Sequence, residues 1–136
     1  MLKDIWESKS EVKDIAIAAV LEQTENQEDE WHIYLINLKN NSIEGVLVSS
    51  SGFGELGGEM RRTSVLRHFL DEMEAQSFKL IEPIMEDVLK LSNEYWVSFY
   101  ENKKIYEKRY VFVPDAIRKD FMITIPIINK RGVMLQ

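Results

Sequence analysis

The chain has 136 residues and a mass of 16.0 kDa, a length that suits one domain with a hydrophobic core. An apolar fraction of 45% and a charged fraction of 29% are typical of a globular protein and exclude the disordered, collagen-like and membrane classes. The 23 acidic and 17 basic residues give a net charge of −6, which opposes general binding to nucleic acid or anionic lipid. The absence of cysteine excludes disulfides, thiolate metal sites and cysteine nucleophiles.

Residues 1–14 contain few apolar anchors and are expected to form an N-terminal arm or an edge strand. They lack the pattern of a signal peptide, and no later run reaches the roughly 20 apolar residues of a membrane helix. We therefore expect a cytoplasmic protein with no membrane contact. Residues 15–21 predict a strand. The acidic run 22–30 predicts a solvated loop, since it lacks the spaced ligands and central glycine of a calcium loop.

A first hairpin is predicted from the β-prone segments 31–39 and 42–49, because the intervening Asn40-Asn41 tolerates the positive φ of a two-residue turn. The predicted cross-strand pairs are Leu35 with Val46, Ile33 with Val48, Tyr34 with Leu47, and Leu38 with Ile43. Both faces of this hairpin are apolar. We therefore expect the core to cover one face, and the C-terminal segment or a partner to cover the other.

A second hairpin is predicted from segments 95–100 and 104–113 around Asn102-Lys103. Its predicted pairs are Phe99 with Tyr106, Tyr95 with Tyr110, Tyr100 with Ile105, Ser98 with Glu107, and Trp96 with Arg109. The first two pairs belong to the buried side, with Phe112 beyond them. On the outer side, Trp96 and Arg109 are expected to form a cation–π pair.

The middle of the chain is compatible with a helix or with strands. Apolar residues recur at helical spacing behind the N-cap candidates Thr63 and Ser64, namely Val65, Leu66, Phe69, Leu70 and Met73. The same run is long enough for one strand, and Phe78, Leu80 and Ile84 fit another that ends before or beyond Pro83. Strands are favoured because the neighbouring hairpins need partners. Residues 86–91 fit a helical turn or a crossing segment.

The predicted fold is a single all-β domain over residues 1–136, an immunoglobulin-like sandwich of two antiparallel sheets with a short C-terminal helical turn. Residues 15–113 form the sandwich, with seven strands. The C-terminal segment 114–136 docks on it, with one helical turn in 115–121 and an apolar run in 122–128 that Pro126 limits to a sheet edge.

The sequence from Gly52 to Gly57 matches G-x-G-x-x-G, and Glu72 and Glu74 follow at about the spacing of a dinucleotide fingerprint. That site needs a parallel βαβ unit, whereas the preceding strand belongs to a predicted hairpin. We therefore expect a mobile loop between strands and no cofactor.

Two basic sets resemble anion-binding patterns. Arg61, Arg62, Arg67 and His68 could recognise a phosphate or carboxylate, although salt bridges to the abundant acids are the commoner outcome. A second set resembles a stacking strip for single-stranded nucleic acid: Lys103, Lys104, Lys108 and Arg109 with Tyr100, Tyr106 and Tyr110. Strand alternation places much of this strip on opposite faces, so nucleic-acid binding is not expected.

Candidate chemistry is sparse. His68 lies near Asp71, Glu72 and Glu74, but no spacing places three of these ligands on one side in both the helical and the extended interpretation. Ser49-Ser50-Ser51 offers hydroxyls without a G-x-S-x-G nucleophile elbow. No catalytic, metal or cofactor-binding residue is assigned.

Several short segments resemble a small, uncharacterised bacterial family whose members are often labelled phenylalanyl-tRNA synthetase alpha subunit. The segments are Thr63–His68, Ser77-Phe78, Ile81-Glu82, Asn93-Glu94 and Glu107–Phe112, and the similarity covers residues 15–135. A class II synthetase chain is far longer, and Gly57–Arg61 matches its arginine-bearing motif only in part, so the resemblance transfers no catalytic residue. It implies extended structure around Thr63–His68, since similar chains place a proline soon afterwards.

The predicted function is a non-enzymatic protein-interaction or scaffold module that binds a protein partner or forms a homodimer. The candidate interaction residues are Tyr34, Ile36, Leu38, Arg67, His68, Trp96, Tyr100 and Arg109. One alternative, based on the family label and the basic positions, is a translation-linked RNA-binding accessory. Another is a small hydrolase or metal enzyme that uses His68.

Overall fold

Two antiparallel sheets packed face to face form the protein in a computed structural model that describes residues 11–136. In chain order the strands are β1 (Ile15–Gln23), β2 (Asp29–Asn37), β3 (Ile43–Leu56), β4 (Glu59–Arg62), β5 (Leu66–Met73), β6 (Ser77–Ile84), β7 (Ser92–Glu101), β8 (Lys104–Phe112), β9 (Ile123–Thr124) and β10 (Arg131–Leu135). Single 3-10 turns span Glu86–Lys90 and Lys119–Phe121. The predicted all-β two-sheet sandwich with a short C-terminal turn is confirmed.

Sheet A has the strand order β6-β2-β1-β10-β9, and sheet B has the order β4-β3-β7-β8. Strand β5 also pairs with β3, on the side away from β7. Strands β6 and β5 therefore lie at sheet edges next to one another, where the chain passes from sheet B to sheet A. The described sandwich segment contains eight strands, one more than predicted.

The main core lies between the sheets because alternate residues of each strand face inward. Sheet A contributes Ile17, Ile33 and Leu35, and sheet B contributes Val48 and Phe99, all at most 1% exposed. The Tyr110 hydroxyl crosses this layer and donates a hydrogen bond of 2.6 Å to the carbonyl oxygen of Ile15.

A second, smaller core covers the outer face of sheet A. Ala16, Ala18, Val20 and Ile36 face outward from β1 and β2, and the C-terminal segment places the fully buried Ile125 over them. Partly buried residues complete this layer, namely Tyr34, Leu38, Ile127, Ile128 and Met134. The predicted burial of both faces is therefore found for segment 31–39, where the chain's own C-terminal segment supplies the second cover. It is not found for segment 42–49, where Leu47 and Ser49 on the outer face are partly exposed.

The first predicted hairpin is wrong. Strand β2 pairs with β1 and β6 in sheet A, whereas β3 lies in sheet B, so Leu35 faces Ile17 and Lys79 rather than Val46. The other predicted pairs of that hairpin fail for the same reason. Neither residue of Asn40-Asn41 has a positive φ. The chain turns a corner between the sheets there.

The second predicted hairpin is confirmed in its turn and in all five cross-strand pairs. Asn102 and Lys103 have φ values of 51° and 65°, which define the tight turn. Trp96 and Arg109 are cross-strand neighbours as predicted. The Arg109 guanidinium instead binds Glu94, with 2.5 Å between Nε and Oε2. The predicted cation–π pair of Trp96 and Arg109 is not among the cation–π pairs in residues 11–136.

Strands rather than a helix occupy the middle of the chain, as favoured above. The acidic loop is shorter than predicted, since β1 extends to Gln23 and β2 begins at Asp29. The predicted loop at Gly52–Gly57 is also wrong, because β3 continues to Leu56 and turns into β4 at Gly57-Gly58. The predicted arm or edge strand of residues 1–14 lies largely outside the described residues. No helix within residues 11–136 has the length and apolar character needed to cross a bilayer.

Candidate functional site

A cleft opens between the sheets where the edges of β5 and β6 meet. Its volume is about 250 Å³, and the residues on its floor come from β3, β6 and β7. Apolar side chains of Leu66, Ile84, Met85 and Val88 form its walls. A concave, largely apolar space with a few convergent polar groups is the usual form of a ligand-binding site.

Glu82 is the acidic residue of this cleft, and a β-bulge positions it. In the pairing of β2 with β6, Ile33 faces Glu82 and the next residue, Tyr34, faces Leu80. Ile81 is the extra residue of the bulge and is itself buried. The bulge therefore lets both consecutive side chains leave the outer face of sheet A, Ile81 into the core and Glu82 toward sheet B.

Three side chains of sheet B converge on the Glu82 carboxylate. Ser50 Oγ donates a hydrogen bond of 2.6 Å to Oε1, and His68 Nε2 lies 2.8 Å from the same oxygen. The Tyr95 hydroxyl donates to Oε2 over 3.3 Å. Ser50 and Tyr95 are almost completely buried, whereas His68 and Glu82 are partly exposed. This cluster links the two sheets across the open side of the sandwich.

The order of these groups differs from that of a hydrolase triad. In a triad the imidazole lies between the hydroxyl and the acid, so that it can take the hydroxyl proton. Here the Glu82 carboxylate lies between Ser50 and His68, and the Ser50 hydroxyl donates its hydrogen bond to the acid. The arrangement therefore holds a carboxylate in place and provides no relay that would make Ser50 a nucleophile.

Tyr95 acts as a hydrogen-bond donor to Glu82. Burial, together with the negative charge and hydrogen bond of Glu82, raises the pKa of the Tyr95 phenol far above its ordinary value. The phenol consequently stays protonated throughout the physiological pH range.

Three of the predicted interaction residues lie in β2 or just after it and are covered by the chain itself. They are Tyr34, Ile36 and Leu38. Ile36 is fully buried beneath the C-terminal segment, and Leu38 packs against the same layer. Tyr34 is half-buried, and its hydroxyl donates a hydrogen bond of 2.5 Å to Glu22 Oε1. Of the two covers expected for this face, the C-terminal segment rather than a partner lies over Tyr34, Ile36 and Leu38, so their choice as interaction residues is corrected.

Glu22 is the centre of a second polar cluster, on the outer side of sheet A. It accepts hydrogen bonds from Tyr34 and from Lys130 of the C-terminal segment, and its Oε1 lies 2.8 Å from His32 Nδ1. His32 Nε2 lies 2.7 Å from Glu30 Oε1. This cluster fastens the C-terminal segment to β1.

The pKa values of the cluster follow from these contacts. Burial alone raises the pKa of Glu22, but hydrogen bonds from Lys130, Tyr34 and His32 outweigh it and hold that pKa below its ordinary value. Burial alone lowers the pKa of His32, but Glu30 and Glu22 outweigh it and raise that pKa. Burial, together with the hydrogen bond to Glu22 and its charge, raises the pKa of Tyr34 to about 12.

The outer face of sheet B carries three large exposed aromatic residues: Phe69 is 68% exposed, Trp96 45% and Tyr100 50%. We call this surface the aromatic face and define it by nine outward residues: Arg67, Phe69, Leu47, Ser49, Trp96, Ser98, Tyr100, Glu107 and Arg109. A shallow depression of about 220 Å³ lies between Trp96 and Leu47, over the small side chains of Ser49 and Ser98. Tyr100 lies next to it on β7. Of the predicted interaction residues, the structure brings Arg67, Trp96, Tyr100 and Arg109 together here, whereas His68 lies on the inner side of sheet B and contacts Glu82.

The two predicted basic sets are dispersed. Arg62 lies over the Phe53 ring, 5.6 Å from its centroid, and Arg61 lies 4.0 Å from Glu59 at the far end of β4. In the second set, Tyr106 stacks on Phe99 and Tyr110 is buried, both on the inner side of sheet B. A continuous stacking strip is therefore not formed. Within residues 11–136 no group of three or more His, Cys, Asp or Glu side chains is arranged to hold a metal ion.

Glu82, Tyr95 and Phe69 were not predicted as site residues from the sequence, and Ser50 was noted only within a run of three serine hydroxyls. In the sequence each resembles an ordinary strand residue, and only the packing of sheet A on sheet B brings Ser50, Glu82 and Tyr95 together. The one available signal was Glu82 immediately before Pro83, a charged residue in a short apolar strand.

Compared with known proteins, the chain matches no family model and no curated sequence. Its function is therefore inferred from the geometry of the cleft and of the aromatic face.

Proposed function

We propose that the protein is a non-enzymatic interaction module that pairs with a second copy of itself through the aromatic face. The observation that carries this proposal is the exposure of Phe69, Trp96 and Tyr100 on one side of a single sheet. Clusters of exposed aromatic residues are typical of surfaces that bind another protein.

The centre of the aromatic face consists of two adjacent rows of side chains that run across β5, β3, β7 and β8, and Tyr100 lies beyond the second row. The first row is Arg67, Ser49, Trp96 and Arg109, and the second is Phe69, Leu47, Ser98 and Glu107. Each large or cationic residue of one row therefore has a small, apolar or anionic neighbour in the other row.

This arrangement is self-complementary. A two-fold axis in the plane of the interface, perpendicular to the strands and between the two rows, places the first row of one copy on the second row of the other. Trp96 then fits over Ser98 of the second copy. Arg109, which also contacts Glu94 of its own chain, meets Glu107 of the second copy. Arg67 of one copy lies over the Phe69 ring of the other copy, which is a favourable cation–π arrangement. These contacts match both size and charge.

The net charge of −6 on each copy opposes association. At physiological ionic strength, however, salt screens the repulsion between exposed charges that are more than about 8 Å apart. A contact between Arg109 of one copy and Glu107 of the other lies within the interface and offsets part of this repulsion.

The test exchanges Trp96 and Ser98, the large and small residues that meet at the centre of the proposed interface. Sedimentation equilibrium of the full chain from about 1 to about 300 μM should show a dimer. Ser98→Trp places two indoles opposite each other and should give a monomer. The double variant Trp96→Ser with Ser98→Trp restores one large and one small residue in each contact, so the dimer should return.

Both side chains point outward, so the variants should keep the fold, which circular dichroism and the unfolding midpoint verify. A wild-type chain that is monomeric over the whole concentration range would overturn the proposal. So would a Ser98→Trp variant that dimerises as strongly as the wild type.

The proposal extends to two finer points. The two packed antiparallel sheets support an immunoglobulin-like architecture in the broad sense, although the five strands of sheet A exceed the four-stranded and three-stranded sheets of that fold. The absence of cysteine supports a cytoplasmic location.

A further inference from the structure

We propose that the cleft between β5 and β6 binds a primary ammonium group on an aliphatic stem, either as a free amine or as a lysine side chain. The cleft lies on the open side of the sandwich, away from the aromatic face. This inference is therefore independent of self-association.

The polar floor of the cleft presents hydrogen-bond acceptors. The hydroxyl groups of Ser50 and Tyr95 both donate their hydrogen bonds to Glu82, which leaves the lone pairs of the two hydroxyl oxygens for a ligand. Glu82 Oε2 receives one long hydrogen bond of 3.3 Å and has capacity for a second. These three groups favour a ligand that donates hydrogen bonds.

At the rim of the cleft, too, the hydrogen-bond donors are used within the protein and acceptors remain. The Gly52 N–H donates to Thr63 Oγ1 over 2.7 Å, and the Thr63 hydroxyl donates to the Ser64 carbonyl oxygen. The Asn93 amide nitrogen donates to the carbonyl oxygens of Val88 and Leu91, which leaves its Oδ1 as an acceptor beside Gly52. Most donors around the cleft are thus already committed to the protein.

The charge of the cleft favours a cation. Glu82 is its acidic residue, and none of the residues that line it is Lys or Arg. The basic group that contacts the carboxylate is His68, which lies at Oε1, so the ammonium group is assigned to Oε2. An ammonium group supplies three donors and one positive charge, whereas an alcohol of the same length supplies one donor and no charge. The carboxylate therefore distinguishes the amine from the alcohol.

The walls and the volume favour an aliphatic stem. Leu66, Ile84, Met85 and Val88 surround the entrance, and Leu66 and Met85 are 52% and 70% exposed. A volume of about 250 Å³ lies just below the roughly 300–1,000 Å³ of pockets for drug-sized ligands. This space suits an alkyl chain of five or so carbons with its ammonium group at the floor.

The experiment is a titration of the uniformly ¹⁵N-labelled full chain followed by amide chemical shifts. Pentylammonium chloride should produce saturable shifts at the amides of Gly52, Ser64 and Met85, with a Kd below about 1 mM. The peptide acetyl-Gly-Lys-Gly-amide serves as the second probe. Binding of the peptide at least as tight as that of pentylammonium identifies a lysine side chain as the natural form of the ligand, and weaker binding identifies a free amine.

Four controls make the result specific. Pentan-1-ol at equal concentration should bind at least tenfold more weakly than the amine. Glu82→Gln, which keeps the shape and removes the charge, should also weaken amine binding at least tenfold, whereas Glu28→Gln in the exposed turn before β2 should leave it unchanged. Met85→Trp, at an exposed position, should fill the entrance and block both probes even if Glu82→Gln fails to fold.

Absence of saturable shifts at these amides up to about 10 mM would overturn the proposal. Equal affinity for pentan-1-ol, or unchanged amine binding in folded Glu82→Gln or in Met85→Trp, would do the same.

Discussion

Gly132 of β10 lies directly against the backbone of Ala19 in β1. A Cβ atom built on Gly132 would overlap the Ala19 carbonyl oxygen and would lie 3.0 Å from Val20 Cα. Both obstacles are backbone atoms of the strand that β10 pairs with, so they cannot rotate away. A side chain at position 132 would separate the two strands.

We therefore expect Gly132→Ala to lower the free energy of unfolding by about 1–3 kcal/mol, measured by urea denaturation. Gly52→Ala is the matched control, because its Cβ would meet the methyl group of Thr63, a side chain that can move. A Gly132→Ala variant that is no less stable than the control would contradict this account of the pairing of β1 with β10.

The corner between β2 and β3 depends on Asn37, which is fully buried. Its amide donates to the carbonyl oxygens of Asn41 and Glu74, at 3.1 and 2.9 Å, and its Oδ1 accepts from the Lys39 N–H. Asn37→Ala leaves these backbone groups without partners and should lower the free energy of unfolding by about 1–3 kcal/mol.

The neighbouring Asn40 is exposed, so Asn40→Ala should change stability by less than about 0.5 kcal/mol. Thermal melts of both variants beside the wild type measure the difference. Equal melting temperatures for the two variants would show that Asn37 does not hold the corner.

The pH dependence of stability should reveal the cluster around His32. The pKa of His32 is raised in the folded protein, so its contribution is fully present below its unfolded pKa of about 6.5 and is lost as the pH rises through the folded value. The pKa of Glu22 is lowered, so its contribution is present above its unfolded value and is lost as the pH falls through the folded one.

His32→Gln should therefore cost more stability at about pH 6 than at about pH 9, as measured by urea unfolding at each pH. His68→Gln serves as a comparison on the opposite side of the sandwich. A stability loss for His32→Gln that stays constant between the two pH values would show that the ion pairs with Glu22 and Glu30 do not stabilise the fold.

The tight turn between β7 and β8 contains Lys103 at a φ of 65°, a backbone conformation that favours glycine. Lys103→Gly should raise the free energy of unfolding by about 0.5–1 kcal/mol, because Asn-Gly is the preferred sequence for this turn. Lys104→Gly, one residue later in β8, should instead be destabilising. A chemical denaturation series that ranks the two variants in the opposite order would refute this interpretation of the turn.

The contrast between the two predicted hairpins shows how much of the fold the sequence determines locally. At Asn102-Lys103 the local preference for a turn and the alternation of Phe99 and Tyr106 agree with the tertiary structure, so turn and register were predictable. At Asn40-Asn41 a similar local pattern was overridden. Strand β2 instead pairs with β1 and β6, burying both of its faces, and Asn37 stabilises a passage to the other sheet.

The candidate sites were less predictable than the fold. Trp96, Tyr100 and Arg109 could be placed on one outer face because they lie in a correctly predicted hairpin. Glu82 reaches Ser50 and His68 only because of a one-residue bulge at Ile81 and the packing of β6 beside β5. Neither feature has a signature in residue spacing.

The position of β1 has a consequence for the order in which the molecule folds. This strand pairs with β2, which follows it closely, and with β10, which lies at the other end of the described chain. During synthesis one edge of β1 therefore remains open until residues 131–135 have emerged from the ribosome. Non-local pairing of this kind is associated with folding on the millisecond to second timescale, and the nascent chain must keep the apolar outer side of β1 from aggregating during that time.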